Sequence, residues 1–146
     1  MKIRAAVLEE FAQPLAVQDV ELDGPGPGEV LVRLAACGVC HTDLYTASGA
    51  DPSGYAPTVL GHEGAGVVEA IGEGVSSVAP GDHVVTLFSP QCGECVHCQS
   101  PKTNLCLAIR EQQNLGYLPD GTTRLNRDGE RASATSWARA RSPRPP

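Results

Sequence analysis

A small, mainly β (α+β) fold, a barrel or sandwich carrying a cysteine-rich lobe, is what this sequence predicts. Short apolar alternations recur between turns rich in glycine and proline. Its 146 residues include 16 Gly and 12 Pro but only 4% aromatics, which disfavours a helical bundle. Residues 89–108 have no apolar period and hold four of the six cysteines. The length suits one domain with a real core and is too short for two ordinary ones.

The elements follow in order. "KIRAAVLEE" and "LAVQDVEL" alternate apolar and polar residues and read as strands, followed by the rigid turn "DGPGPGE". "EVLVRLAACGV" alternates from Val30 and runs into a loop, and "CHTDLYTASG" reads as a short helical turn. "GAGVVEAIGEGV" and "GDHVVTLF" are two further strands, separated by "SSVAPGD". After Leu125 the pattern fades; "NRDGE" is a turn, and no amphipathic period is seen beyond it. The glycines of "GHEGAG" precede a strand where a phosphate-cradling loop would follow one, so no dinucleotide-binding Rossmann unit is expected within the chain.

Charge divides the chain unevenly. The net charge is −6, yet Arg131, Arg139, Arg141 and Arg144 sit in the last sixteen residues, which hold no acid. Residues 1–130 therefore carry −10, a balance that excludes nucleic acid as the natural partner. Glu9 and Glu10 interrupt any signal-like apolar stretch, and no run reaches membrane-spanning length. A cytoplasmic location with reduced thiols, and no membrane partner, is the expectation.

Cys92, Cys95, Cys98 and Cys106 are spaced C-x2-C-x2-C-x7-C. Two intervening residues let both sulfurs face one ion, and the longer gap lets the chain swing round to complete a tetrahedron. Four thiolates leave no open position, so a zinc there would be structural and would replace a hydrophobic core. An iron–sulfur cluster favours a different closing spacing, x3-C-P, and disulfides need an oxidising compartment. Zinc is the preferred reading of the three.

The other two cysteines lie in "CGVCHTD", with "GHEGAG" about twenty residues later. Cys40 and His62 offer a sulfur and a nitrogen to a second zinc, with Asp43 orienting the histidine. Cys37 reads as a small core residue.

With "GEVLVRLAACGVCHTDLYTASG", "PTVLGHEGAGVVEAIGEGV", "PGDHVV" and "CGECVHC…C" in this order and spacing, the sequence resembles the zinc-dependent medium-chain alcohol dehydrogenases. The resemblance covers roughly residues 1–130. It implies a GroES-like, partly open β-barrel catalytic domain with the zinc lobe at about 89–108. Cys40 and His62 match two of three catalytic-zinc ligands. Glu63 matches a carboxylate able to exchange onto the metal, and Asp43 the partner of the histidine. Thr42 matches the hydroxyl that passes the substrate proton outward, and His41 a side chain beside the cofactor's pyrophosphate. Cys92, Cys95, Cys98 and Cys106 match the structural-zinc ligands. By this resemblance zinc polarises an alcohol oxygen and lowers its pKa, so that an alkoxide releases hydride to NAD. Intact members are usually homo-oligomeric.

"KTNLCLAIR" and "LPDGTTRL" resemble the class III branch, which oxidises S-(hydroxymethyl)glutathione, a formaldehyde adduct. Arg110 matches that branch's arginine for the substrate carboxylate, and Asp51 belongs to its glutathione-binding pattern. Ser53 stands where that pattern has an acid, which leaves another thiol adduct or a simple alcohol open as substrate.

The resemblance also supplies an expectation for the tail. After "DGE" the family continues with something like "HFMGTSTFA"; read one base later in GC-rich codons, this becomes "TSWARARSP", which is Thr135 to Pro143. Residues 131–146 are therefore expected to be an out-of-frame, unstructured tail, beginning with a frameshift just before Thr135. Neither the third catalytic ligand nor a Rossmann domain is matched in the chain. The expected function is that of the N-terminal catalytic domain of a zinc-dependent, NAD-linked alcohol dehydrogenase, inactive on its own. The alternative is a non-enzymatic zinc-binding remnant or interaction module.

Overall fold

The computed structural model describes residues 1–89, 91–100, 105–113, 115–127 and 129–134, the side chains of 110–112 and 130–134 excepted. Eight strands and two short helices follow in order among them: β1 (Lys2–Leu8), β2 (Ala16–Leu22), β3 (Val30–Cys37), α1 (His41–Ala47), β4 (Thr58–Val59), β5 (Gly64–Ile71), β6 (His83–Val85), α2 (Leu107–Gln113), β7 (Leu125–Arg127) and β8 (Glu130–Ala134). The strands form a closed barrel, β1-β2-β7-β8-β4, and a three-stranded sheet, β3-β5-β6.

β1 and β2 alternate apolar and polar residues, and they pair antiparallel from Lys2↔Glu21 to Val7↔Ala16. That register places Ala5, Val7 and Val20 in one buried cluster with Leu125 of β7, with Ile3, Leu22 and Val59 packed around it. Each large apolar side chain so buried contributes about 1.5–3 kcal/mol. The second sheet rests on the long β3–β5 pairing, which runs from Val30↔Ile71 to Cys37↔Gly64 with two register shifts.

Two clamps hold the turn between β2 and β3. Arg124 grips Glu29 with two hydrogen bonds, Nε to Oε2 at 2.9 Å and Nη2 to Oε1 at 2.7 Å. The same guanidinium reaches Asp120 at 2.6 Å, so "LPDGTTRL" folds as a turn bound to the "PGPGE" corner. Gly72 forms the other clamp: its N–H donates to the Glu29 carbonyl at 2.8 Å, and a Cβ there would overlap the Gly26 carbonyl oxygen.

Several elements depart from expectation. β4 is only two residues long, too short to show a period, and exists because Val7 and Leu8 pair with it. Helix α2 follows Cys106 directly, starting at the end of the stretch 89–108, which has no apolar period, and running past it. The domain boundary expected at residue 130 falls inside a strand, because Arg131–Ala134 belong to β8. Their main chain pairs antiparallel with β7 and parallel with β4. Backbone pairing needs no amphipathic pattern, so a period-based reading misses it. Residues 135–146, the rest of the expected tail, lie outside the described residues. Cys37 is exposed and does not join the core, because β3 from Arg33 onward has no layer packed over it. No helix of the described residues is long and apolar enough to cross a membrane.

Leu8 is fully buried at the barrel seam where β1 meets β4. Leu8→Ala is expected to cost about 2–5 kcal/mol, measured as a lower urea midpoint at unchanged slope.

Candidate metal sites

The sulfurs of Cys92, Cys95, Cys98 and Cys106 all lie within 4.8 Å of one another. Cys92 Sγ and Cys98 Sγ are 3.9 Å apart, close to the ~3.8 Å edge of a tetrahedron with Zn–S bonds of about 2.3 Å. The backbone prepares the thiolates. Cys92 Sγ accepts N–H groups from Glu94 at 3.4 Å and from Cys95 at 3.3 Å, which lower its pKa. The N–H groups of Leu107 and then Cys98 draw Cys95 down to about 6. Burial instead pushes Cys98 up to about 11. Four convergent thiols, one resisting ionisation, are stable as four thiolates only around a cation, so the donor set fits a closed tetrahedral ion. Cys98 and Cys106 are buried with Ile109 of α2, so the cluster is the lobe's core.

The second cluster joins two elements distant in sequence. Cys40 immediately precedes α1, and His62 and Glu63 precede β5; their ligand atoms also lie within 4.8 Å of one another. Asp43 links the two. Its Oδ2 accepts the Cys40 N–H at 3.1 Å at the start of the helix, and its Oδ1 faces His62 Nδ1 at 3.4 Å. With Nδ1 held by the carboxylate, the other nitrogen is turned toward Thr42 Oγ1, 3.5 Å away. A borderline nitrogen, a soft sulfur and an adjacent carboxylate suit zinc.

Glu63 reaches this cluster because residue 38 is glycine: a Cβ at Gly38 would overlap the Glu63 carboxylate. Two residues that sequence reasoning missed hold His62 from the far side. Thr86 Oγ1 donates to the His62 carbonyl at 3.1 Å and accepts the Gly64 N–H at 2.8 Å. The Phe88 ring meets the His62 ring edge-on at a 5.0 Å centroid distance. Alternate positions in "TLF", just past β6, are the sequence signal that both side chains face one way.

Other expected site residues are placed less closely. His41 is the first residue of α1 and is exposed, as is Thr42. Arg110 lies on α2, but its side chain is outside the described residues. Asp51 is engaged within its own loop. Its Oδ1 accepts the Ser53 N–H at 2.9 Å and the Ser53 hydroxyl at 2.7 Å, and its Oδ2 accepts Thr46 Oγ1 at 2.9 Å. These bonds, Ser53's first, hold its carboxyl below the usual range. Ser53, which departs from the expected acid, is thus the donor that ties Asp51 down.

Comparison with known proteins gives the family of the chain. Residues 26–133 match the profile of the alcohol dehydrogenase GroES-like domain. The chain belongs to this family. Over 130 residues, 89% of the chain, this GroES-like domain is 55% identical to an S-(hydroxymethyl)glutathione dehydrogenase of Escherichia coli. It spans about 35% of that relative's length. Its fold superposes on an alcohol dehydrogenase zinc-binding domain protein from Burkholderia ambifaria with a TM-score of 0.85 at 37% identity, covering 93% of this chain and 36% of the other. Benzyl alcohol dehydrogenase from Acinetobacter calcoaceticus superposes at 0.82 with 32% identity, over 97% of this chain and 38% of that one.

Two expectations test the site of this GroES-like domain. Gly38→Ala displaces Glu63 and is expected to weaken Co2+ binding at Cys40 and His62 by roughly tenfold, the scale of lost supporting groups at metal sites. Isothermal titration reads it. Ser53→Ala is expected to raise the Asp51 pKa in a carboxyl NMR titration. Because the Asp51 pKa is depressed in the fold, its stabilising contribution is full above the unfolded carboxyl pKa and is lost as pH falls through the folded one. In Ser53→Ala that pH dependence shrinks.

Proposed function

We propose that this chain is the N-terminal catalytic domain of a zinc-dependent, NAD-linked alcohol dehydrogenase acting on S-(hydroxymethyl)glutathione-type adducts. The observation that carries the proposal is the Asp43 carboxylate, which holds the helix start at Cys40 and the His62 ring at once and brings a sulfur, a nitrogen and Glu63 together. In this reading Cys40 and His62 hold the catalytic zinc, and Cys92, Cys95, Cys98 and Cys106 the structural one. Bound zinc would supply Lewis-acid polarisation of the substrate oxygen. The chain's own residues do the rest. Asp43 fixes the His62 tautomer, Thr42 relays the substrate proton outward, and Glu63 offers a third donor within reach. His41, exposed at the start of α1, faces outward for the cofactor's pyrophosphate.

The adduct is preferred as substrate because of the 55% identity to a dehydrogenase of that name, with Arg110 its carboxylate partner. Asp51, oriented by its bonds to Ser53 and Thr46, is the other substrate-side residue of this reading. The polypeptide 1–146 on its own is proposed to hold zinc in the lobe and to reduce no NAD.

A chimera tests the reading. Residues 1–130 replace the matching part of the Escherichia coli relative. The chimera is expected to oxidise S-(hydroxymethyl)glutathione faster than ethanol or benzyl alcohol, and His62→Ala in it to lose at least about 100-fold in kcat. A folded, zinc-loaded chimera without turnover would overturn the proposal in favour of a non-enzymatic zinc-binding module.

A further inference from the structure

A hydrogen bond spans the neck of the four-cysteine lobe, and that bond leads to the second cluster. The chain leaves the sheet after Val85, passes Phe88 four residues before Cys92, and runs from its last cysteine straight into α2. Gln113, at the far end of α2, donates from Nε2 to the Phe88 carbonyl at 2.5 Å. The two sides of the neck are therefore joined 25 residues apart in sequence, with all four thiols inside the loop so formed.

Both flanks of this bond are anchored. On the lobe side, Ile109 of α2 is buried against Cys98 and Cys106, and the N–H of Leu107 points to Cys95. An ion drawing the thiols together thus sets the position and axis of α2, and with them Gln113 about two turns further on. On the other side, Phe88 presents its ring to His62 at 5.0 Å, and Thr86 two residues earlier binds the His62 carbonyl at 3.1 Å. Phe88 is otherwise half exposed, so its place depends on what grips its main chain.

We propose that Gln113 is a positioning residue, a strut through which an ion in the four-cysteine lobe orients His62 and raises the metal affinity of the Cys40–His62–Glu63 cluster. This rests on the reading of those three residues as a metal site. Linkage makes the effect reciprocal: metal at the second cluster also tightens the lobe. Among the described residues the Gln113 amide binds the Phe88 carbonyl and reaches neither cluster.

The test uses the full 146-residue chain with one equivalent of Zn2+ added to fill the lobe, as wild type, Gln113→Met and Gln113→Lys. Methionine keeps the helix and the volume but donates nothing, whereas lysine still donates to the carbonyl. Titration with Co2+, followed by its visible absorption bands, is expected to show about tenfold weaker binding at the second cluster in Gln113→Met, with near-normal binding in Gln113→Lys. The His62 ring resonances, followed by NMR before any Co2+ is added, are expected to move when Zn2+ fills the lobe in wild type and Gln113→Lys. They stay fixed in Gln113→Met, whose zinc stoichiometry at the lobe remains one. Equal Co2+ affinity in wild type and Gln113→Met, or His62 shifts that persist without the amide, overturn the strut. If wild type takes up no Co2+ beyond the lobe, the metal-site reading falls, while the His62 shifts still decide the strut by themselves.

Discussion

One carboxylate sets the geometry on which the site depends. Asp43 stands at the third position of α1, where its Oδ2 meets the Cys40 N–H that a helix start leaves without an intrahelical partner. The other oxygen faces His62, a residue of the loop between β4 and β5. Helix capping and imidazole orientation are thus one interaction. Losing it would unfasten the helix start and free the imidazole together, so the local fold and the candidate chemistry share a single point of failure.

The rest of the molecule reads as scaffolding around that point. The barrel core of Ala5, Val7, Val20 and Leu125 fixes β1, and β1 pins β4 just ahead of the His62 loop. The β3–β5 pairing brings Cys37 opposite Gly64, which puts Cys40 and His62 on the same edge of the sheet. Arg124, gripping Glu29 and Asp120, keeps the loop before β3 from drifting and so sets where that strand begins. The two cysteine-bearing clusters differ in kind. One encloses its centre with four sulfurs, and the other gathers three unlike donors at a half-exposed edge. Four sulfurs complete a tetrahedral set, whereas three donors leave one position of such a set to be filled.

What was legible in the sequence had a period or a spacing. β1, β2 and β3 alternate in the sequence and fold as strands close to where the alternation lies, and the cysteine spacing brings all four thiols together. Cys40, His62 and Asp43 were legible through family resemblance more than through local pattern, since one cysteine and one histidine twenty-two residues apart are common without a metal. Elements held by main-chain partners carried no such mark. Thr58–Val59 is too short for a period, and α2 straddles the end of the cysteine stretch. Thr86 and Phe88 act on His62 through a carbonyl and a ring edge, contacts whose sole mark in the sequence is their alternate placing in "TLF". Cys37 was assigned to the core from its residue type alone, although β3 is uncovered from Arg33 onward.

The strand β8 closes the barrel between β7 and β4 by main-chain pairing, with Thr58 opposite Ser133 and Leu125 opposite Ala132. Every residue except proline brings the same amide and carbonyl to such a seam. A join made this way is nearly blind to which amino acids are written there. The barrel's last stave is thus where a change of reading could alter the text and leave the vessel whole, while the same change at Val7 or Val20 would empty its core.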